Sequence, residues 1–244
     1  MSEKKSAISV KNVSITYKWI KAYSIKKNLL RLKKADNQIV EAVKNVSFEV
    51  PEGSILGIIG KNGSGKSTML KALAGIFSAD EGEIDLHGHS VSLLSIGVGF
   101  QKELTGRENI LLSGMLLGFD EDYVREKTQE IIDFAEIGRF IDMPVRTYSS
   151  GMYSKLAFSI TAILETDIML VDEVLSVGDQ KFKKKSFMKM EQLINDSHRT
   201  VVIVSHSIPS LKSLCQQVMW MHDGEIKKIG DTDEVLDEYA EFMK

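Results

Sequence analysis

The sequence lacks the features of disulfide-bonded and membrane-spanning proteins. It has one cysteine, Cys215, in 244 residues, so no internal disulfide can form. Its longest apolar runs, such as residues 55–59 and 168–171, are far shorter than the roughly 20 residues that cross a bilayer. Residues 1–11 carry charge but no apolar core of the kind found in signal peptides, and we therefore expect the chain to stay in the cytosol.

A strong charge of either sign is also absent. The 31 basic and 34 acidic side chains give a formal net charge of −3, which argues against a protein whose whole surface binds nucleic acid. The sequence has no internal repeats, low-complexity tracts or sustained heptads. With 43% hydrophobic residues, it can fill the core of one large domain or two small ones.

A glycine-rich segment follows one of the apolar runs. Residues 60–68 read Gly-Lys-Asn-Gly-Ser-Gly-Lys-Ser-Thr, directly after residues 55–59. Glycines let backbone N–H groups curl around phosphates, and a helix beginning near Lys66 points the positive end of its dipole at them. The alternative is a glycine-rich turn without a ligand, but the complete pattern between strand and helix favours a bound nucleoside triphosphate. The residues predicted to contact it are Gly60, Lys61, Asn62, Gly63, Ser64, Gly65, Lys66, Ser67 and Thr68, with Ser67 also a Mg²⁺ ligand.

Hydrophobic periodicity divides the rest of the chain. Alternation along residues 8–17 and 43–50 predicts a small, mainly antiparallel strand layer. Apolar runs at residues 55–59, 168–171 and 201–204 are typical of strands buried on both faces, as in parallel α/β sheets. A helical block over residues 105–164 opens with a capping box from Thr105 to Glu108. Asp223 and Gly224 predict a hairpin turn, and residues 231–243 predict a terminal helix.

Two carboxylates end the second of these apolar strands. Asp172 and Glu173 directly follow residues 168–171, which places them at the carboxyl edge of a parallel sheet, beside the phosphate loop. Such a pair usually indicates a solvated loop, but after a phosphate loop the functional interpretation is stronger. Asp172 is predicted to hold Mg²⁺ through water. Glu173 is predicted to polarise the attacking water as general base.

A second anion site is suggested where another helix begins. Ser149, Ser150 and Gly151 precede a helical run, so they lie where unpaired helix amides can bind an anion. Alone, this pattern indicates only a helix cap. The order of motifs changes the interpretation: the phosphate loop, Gln101, Ser-Ser-Gly-Met at residues 149–152, Val-Asp-Glu at 171–173, Ser-Val-Gly-Asp at 176–179 and His206. This order resembles the nucleotide-binding subunit of ATP-binding cassette (ABC) transporters over nearly the whole chain.

The resemblance implies a role for each motif. Gln101 would end a strand, contact Mg²⁺ and the attacking water, and relay the nucleotide state to a membrane partner. Ser149 and Gly151 would contact the γ-phosphate held by a second subunit, and His206 would sense that phosphate. Residues 176–179 would form the loop that bridges the two sites, and Asp179 at its end is expected to contact nucleotide.

An aromatic ring near the end of the first predicted strand is expected to stack on adenine. Tyr17 is the first choice because it ends the strand layer. Trp19 and Tyr23 are the alternatives.

The helix-start motif departs from the family's usual form. Residues 148–152 read Tyr-Ser-Ser-Gly-Met in place of Leu-Ser-Gly-Gly-Gln, so a serine replaces a glycine at Ser150 and a methionine replaces a glutamine at Met152. Together with residues 97–110, this variant resembles ATPases that export lipid-linked polysaccharides such as teichoic acids, O-antigens and capsules. Some of those carry a further carbohydrate-binding domain. The sequence here ends at Lys244, and we expect glycan recognition to lie in a membrane permease.

A basic segment separates the first two strand patterns. Residues 18–34 interleave seven cations with seven large apolar side chains and contain no acidic residue. The plain interpretation is a solvated charged helix. The interpretation that we favour is a surface that lies against anionic lipid headgroups or an amphipathic helix of the permease.

These patterns together predict a single α/β domain over residues 1–244. It would comprise a P-loop NTPase core of the ABC ATPase type (residues 55–100 and 165–230), an antiparallel β layer (7–60) with a basic insert (18–40), a helical signature subdomain (101–164) and a C-terminal helix (231–244). We expect it to bind ATP and Mg²⁺ and to form a homodimer at the cytoplasmic face of the membrane. Integral-membrane permease subunits would be its partners, and a lipid-linked polysaccharide would be the cargo.

Three other functions remain as alternatives. One is an ABC ATPase of another transporter. A soluble cassette ATPase in translation or DNA repair is disfavoured by the single phosphate loop and the lack of heptads. A small-molecule kinase would leave the helix-start motif and His206 without a role.

Overall fold

Two β-sheets and their helices make up the described part of the protein. A computed structural model describes residues 5–19, 38–94, 99–172, 179–194 and 199–243. The strands are β1 (Ser6–Trp19), β2 (Gln38–Pro51), β3 (Ile55–Ile59), β4 (Glu81–Asp85), β5 (Val91–Leu94), β6 (Ile168–Asp172), β7 (Thr200–Val204), β8 (Gln217–His222) and β9 (Glu225–Asp231). The α-helices are α1 (Lys66–Leu73), α2 (Gly106–Leu116), α3 (Glu121–Ala135), α4 (Ser150–Ile163), α5 (Gln180–Ile194), α6 (Ile208–Leu214) and α7 (Thr232–Phe242).

The smaller sheet is antiparallel and has the order β2-β1-β4. β1 and β2 pair along most of their length, from Ser6↔Pro51 to Trp19↔Gln38, which confirms the predicted antiparallel layer. The polar edge strand β4 was not predicted. It pairs with β1 because Gly82, at φ +79°, lets the two backbones approach closely: a Cβ there would lie 2.3 Å from the Lys11 carbonyl oxygen.

The larger sheet has the order β5-β6-β7-β3-β8-β9. Strands β5 to β8 in this order pair in parallel, as predicted for the three buried runs, and β9 pairs antiparallel with β8 across the Asp223-Gly224 turn. The carboxyl ends of β6, β7 and β3 therefore meet at one edge of the sheet. Functional side chains that follow these strands are brought together there.

Helices cover both faces of the larger sheet and form a separate packed unit. The predicted capping box is confirmed at the start of α2, where Thr105 Oγ1 accepts from Glu108 N and Glu108 Oε2 accepts from Thr105 N. Two 3₁₀ turns, Gly138–Asp142 and Val145–Thr147, connect α3 to α4. Across the described ranges, no helix is both long and apolar enough to cross a membrane.

Three apolar clusters hold these layers together. The first lies between the two sheets around α1 and includes Ile8, Leu56 and Met69. The second, on the opposite face of the larger sheet, includes Phe158 and Trp220. The third packs α2, α3 and α4 against one another, so the helical unit has its own core beside the sheet.

Candidate nucleotide site

The phosphate loop connects β3 to α1 and packs against neighbouring backbone. Gly60 and Gly65 adopt φ angles of +157° and +98°. A Cβ on Gly60 would lie 2.2 Å from the Met221 carbonyl oxygen, and one on Gly65 would lie 2.3 Å from the Ala42 carbonyl oxygen. Only glycine fits at these two positions, because any other residue would collide with backbone that cannot move aside.

Lys66 holds the loop closed from within. Its side chain is buried, and its Nζ donates to the carbonyl oxygens of Gly60 at 2.8 Å and Lys61 at 2.9 Å. A buried ammonium at the first turn of α1 adds a full charge to the positive end of the helix. The loop is thus preorganised as an anion site within one chain.

Two oxygen donors suited to Mg²⁺ lie beside the loop. Ser67, in the first turn of α1, places its Oγ 3.5 Å from Oδ1 of Asp172, the last residue of β6. Mg²⁺ is usually held by one or two protein oxygens, with substrate phosphates and waters completing its shell. A hydroxyl and a carboxylate at this spacing fit that coordination. Within the described ranges, Ser64 Oγ is also buried without a hydrogen-bond partner, so the loop has an unused polar group.

His206 reaches the same edge of the sheet from β7. It follows β7, which lies between β6 and β3. His206 lines a cavity of about 320 Å³ together with residues 62–68 of the loop and Tyr17. The structure therefore brings together the phosphate loop, Asp172 and His206, as the strand order predicts.

Tyr17 stands at the outer wall of this cavity. Its hydroxyl is 3.1 Å from Thr68 Oγ1, and its ring meets that of Phe77 edge-on with a centroid distance of 5.9 Å. The residue is 39% exposed, so the ring remains accessible to a planar ligand. The Trp19 side chain and all of Tyr23, the two alternatives, lie outside the described part of the chain. Stacking on adenine stays a prediction.

Gln101 is placed differently from its predicted position. β5 ends at Leu94, and Gln101 lies in no strand, so the prediction that it ends one is wrong. Gly99, at φ +69°, turns the chain just before Gln101. The N–H and carbonyl groups of Gln101 are hydrogen-bonded to the Asn109 side chain and not to a neighbouring strand. The Gln101 side chain is exposed and is not among the described residues that line the phosphate-loop cavity. Its contact with Mg²⁺ stays a prediction.

Asn109 organises this turn and was missed by sequence analysis. Fully buried, it accepts from Gln101 N at 2.7 Å and donates to the carbonyl oxygens of Gln101, Leu104 and Thr105. The segment it holds in turn supports the loop before α4, because Arg146 N donates to the Lys102 carbonyl oxygen at 2.9 Å. No local pattern distinguishes a buried asparagine from a solvated one.

The start of α4 has the predicted cap. Ser149 is the N-cap, and its Oγ accepts from Met152 N at 3.2 Å. Ser149 and Ser150 are exposed and line a cavity of about 440 Å³, whose other walls include the cations Lys102 and Arg146. Among the described residues, this cavity and the phosphate-loop cavity have no lining residue in common.

Tyr148 fixes the backbone just before this cap. Its hydroxyl donates to the Phe140 carbonyl oxygen at 2.8 Å, and burial raises the pKa of Tyr148 to about 12. Gly106 gives this hydroxyl room, since a Cβ there would lie 2.2 Å from the Tyr148 oxygen. The tyrosine that replaces the family's usual leucine thus anchors the loop by a hydrogen bond.

Asp179, directly before α5, links this helix to α4 through an ion pair. Its Oδ2 is 2.6 Å from Lys155 Nζ, and its Oδ1 accepts from Phe182 N at 3.0 Å. The Lys155 ammonium and this cap bond lower the pKa of Asp179 to about 2. Its predicted contact with nucleotide is not tested by these bonds and stays a prediction. Glu173 and residues 176–178 lie outside the described part of the chain, as does most of the basic segment.

Comparison with known proteins identifies the family. Residues 43–176 match the family model described as "ABC transporter". The chain is 46% identical over 209 residues to a teichoic acids export ATP-binding protein TagH of Bacillus anthracis, and the match covers 86% of this chain and 38% of that protein. It is 41% identical over 208 residues to the O-antigen export system ATP-binding protein RfbB of Myxococcus xanthus, covering 85% of this chain and 47% of that one. This chain thus spans less than half the length of either relative.

Solved structures support the fold independently. A dimeric post-hydrolysis structure of the ATP-binding cassette MJ0796 with ADP and Pi superposes with a TM-score of 0.69 at 23% identity, covering 92% of this chain and 98% of that one. An ATP-binding subunit of an ABC transporter superposes with a TM-score of 0.72 at 20% identity, covering 96% and 94%. At such identities the likeness concerns the fold alone, and that fold is the ABC ATPase cassette.

Proposed function

The chain belongs to the ABC transporter family, and we propose that it is the ATP-hydrolysing subunit of an exporter for a lipid-linked cell-surface polysaccharide. One observation carries the ATPase proposal: the phosphate loop, Asp172 and His206 meet at one sheet edge. The relatives named for teichoic acid and O-antigen export support the cargo class.

ATP would bind in the cavity of about 320 Å³. Loop N–H groups and the Lys66 ammonium would hold the β- and γ-phosphates, and Tyr17 would stack on the adenine ring. Ser67 and Asp172 would hold Mg²⁺, which supplies charge neutralisation to the phosphates when it is bound. His206 and Gln101 would face the γ-phosphate and the attacking water.

Hydrolysis would depend on Glu173 as the general base. A carboxylate after the Mg²⁺-binding aspartate can accept a proton from the water that attacks the γ-phosphate. We expect Glu173→Gln to bind ATP but to lose most turnover, because an amide still bonds water but cannot take its proton. Near-normal phosphate release by this variant would exclude Glu173 as the base.

Two copies of the chain would complete each site. The Ser149 cap lies in a cavity separate from the phosphate loop, which supports a sandwich in which it contacts nucleotide held by a second copy. Asp179 would lie in the loop that bridges the two sites. We expect Glu173→Gln to shift from monomer to dimer in size-exclusion chromatography only with ATP and Mg²⁺. Ser149→Arg in that background should block the shift, and an unchanged dimer would contradict the composite site.

A separate integral-membrane permease would be the transport partner of this chain. We propose that the chain sits at the cytoplasmic membrane face and that residues 18–34 contact lipid headgroups or the permease. Reversing Lys26, Lys27, Lys33 and Lys34 to glutamate should spare the ATPase activity of the isolated chain and weaken coupled transport. Unchanged transport would indicate that this segment is a solvated insert that contacts neither lipid nor permease.

Cargo is tested in proteoliposomes that contain the chain and its permease. Lipid-linked teichoic acid or O-antigen polymer should raise ATP hydrolysis and be exported, whereas the lipid carrier alone should do neither. Hydrolysis without stimulation by any lipid-linked glycan would contradict the polysaccharide cargo and leave an ABC ATPase of another transporter.

A further inference from the structure

The phosphate loop rests on the β8–β9 hairpin. Gly224, in the hairpin turn, donates its N–H to the Ser64 carbonyl oxygen at 3.2 Å, and its own carbonyl oxygen accepts from Lys44 N at 2.8 Å. The Met221 backbone also lies against Gly60. The position of the loop therefore depends on a hairpin more than 150 residues further along the chain.

The terminal helix α7 packs back onto the same hairpin. Trp220, buried in β8, meets the rings of Tyr239 and Phe242 at centroid distances of 5.4 Å and 5.0 Å. His222, the last residue of β8, meets Phe242 at 5.1 Å. Phe242 is the last residue of α7, so the end of this helix is fixed beside the hairpin turn.

Phe242 also contacts the loop itself. Lys61 Nζ lies 5.3 Å from the centroid of the Phe242 ring, and Lys227 Nζ lies at the same distance. The Lys61 carbonyl oxygen accepts from Lys66 Nζ and from Ser64 N. Lys61 is thus held at both ends, its carbonyl by the loop and its ammonium by the aromatic ring of α7.

We propose that Phe242 is a positioning residue for the phosphate loop and acts through the Lys61 ammonium. This rests on the proposed ATP binding. With its side chain held by the ring, Lys61 keeps its carbonyl directed at Lys66, and the loop needs less ordering when phosphates bind. By linkage, nucleotide in the loop strengthens the docking of the α7 end, and displacement of that end weakens nucleotide binding.

The experiment compares Phe242→Leu, which keeps apolar volume but removes the ring, with Phe242→Tyr, which keeps the ring. Cation–π contacts at exposed sites shift equilibria by about two- to fivefold, so Phe242→Leu should raise the Kd for Mg-ATP about threefold. Turnover at saturating ATP should stay unchanged, because Phe242 lies outside the reacting groups. Phe242→Tyr should match the wild type.

A double-mutant cycle identifies the route of the effect. In a Lys61→Gln background, Phe242→Leu should no longer change the Kd for Mg-ATP. Lys227→Gln is the matched control, because this cation faces the same ring from β9 and not from the loop. It should leave the Kd unchanged.

The outcomes separate this inference from the proposed function. A wild-type chain that binds no Mg-ATP would overturn both. A wild-type chain that binds Mg-ATP only as tightly as Phe242→Leu would overturn the positioning role alone. The same conclusion would follow if Phe242→Leu caused equal losses with and without the Lys61→Gln substitution, or if Phe242→Tyr lost as much affinity as Phe242→Leu.

Discussion

The phosphate loop and the start of α4 are built in opposite ways. Gly60 and Gly65 touch neighbouring backbone, and Lys66 is buried beneath the loop. At the start of α4, Ser149 and Ser150 are exposed, and the loop before them is held by the Tyr148 hydroxyl and by Arg146 N, which donates to the Lys102 carbonyl oxygen in the segment that Asn109 organises. The phosphate loop is thus fully formed within a single chain, whereas the predicted second anion site at the start of α4 faces outward. This contrast is what the proposed homodimer requires.

The largest expected effect is at the phosphate loop. Gly65→Ala should abolish Mg-ATP binding and lower the free energy of unfolding by about 2–4 kcal/mol, because its Cβ would meet the Ala42 carbonyl and its φ is positive. Gly75→Ala is the control, with φ +69° and no atom within 4 Å of the added Cβ. It should cost only about 1–2 kcal/mol for the backbone conformation. Equal losses in chemical denaturation would contradict the close-approach argument.

A smaller effect is expected at the α4 side. Asn109→Ala leaves buried polar groups of the residue 101–105 segment unpaired, which should lower the free energy of unfolding by about 2–3 kcal/mol. It should also weaken ATP-dependent dimerisation of Glu173→Gln, while the Kd of the monomer for metal-free ATP stays unchanged, because the proposed contacts of Gln101 are with Mg²⁺ and water. A fall in the affinity of the monomer for nucleotide would show that the start of α4 and the phosphate loop are coupled within one chain.

Substitutions of Tyr17 test whether its ring stacks on adenine at the edge of the phosphate-loop cavity. Tyr17→Leu removes the ring and should weaken ATP binding about three- to tenfold, and Tyr17→Phe should keep most of the affinity. Binding of inorganic tripolyphosphate should be the same in all three proteins, because it has no base to stack. A loss of tripolyphosphate binding would show that Tyr17 acts on the loop through Thr68.

The smallest expected effect is a pH-dependent contribution of Asp179 to the stability of the fold. Its folded-state pKa, about 2, is below the ordinary 3.8, so its contribution to stability is fully present above that ordinary value and is lost as pH falls toward 2. Asp179→Asn should therefore destabilise the protein near neutral pH and matter progressively less below pH 3.8. In a Lys155→Met background the difference should shrink. Chemical denaturation at stepwise pH checks both outcomes.

Local sequence determined much of this molecule. The glycines and lysine of residues 60–68, the three buried runs, the Thr105 capping box and the Asp223-Gly224 turn each reflect conformational preferences of neighbouring residues. The structure has all of these elements. The sequence also predicted that Asp172 would lie beside the loop, because parallel strands share a carboxyl edge, whereas His206 was assigned to the γ-phosphate only by the resemblance to ABC ATPases.

Tertiary structure decided what no local pattern encodes. Sheet order placed the β8–β9 hairpin beside β3 and beneath the loop, and it brought Phe242 to Lys61. The polar strand β4 forms only because β1 is there to pair with it, and Gln101 lies outside any strand, in a turn whose backbone is bonded by the Asn109 side chain. Each of these contacts depends on the side chain or backbone that another segment brings close. Periodicity, propensity and capping report on neighbours along the chain, so they carry no information about such partners.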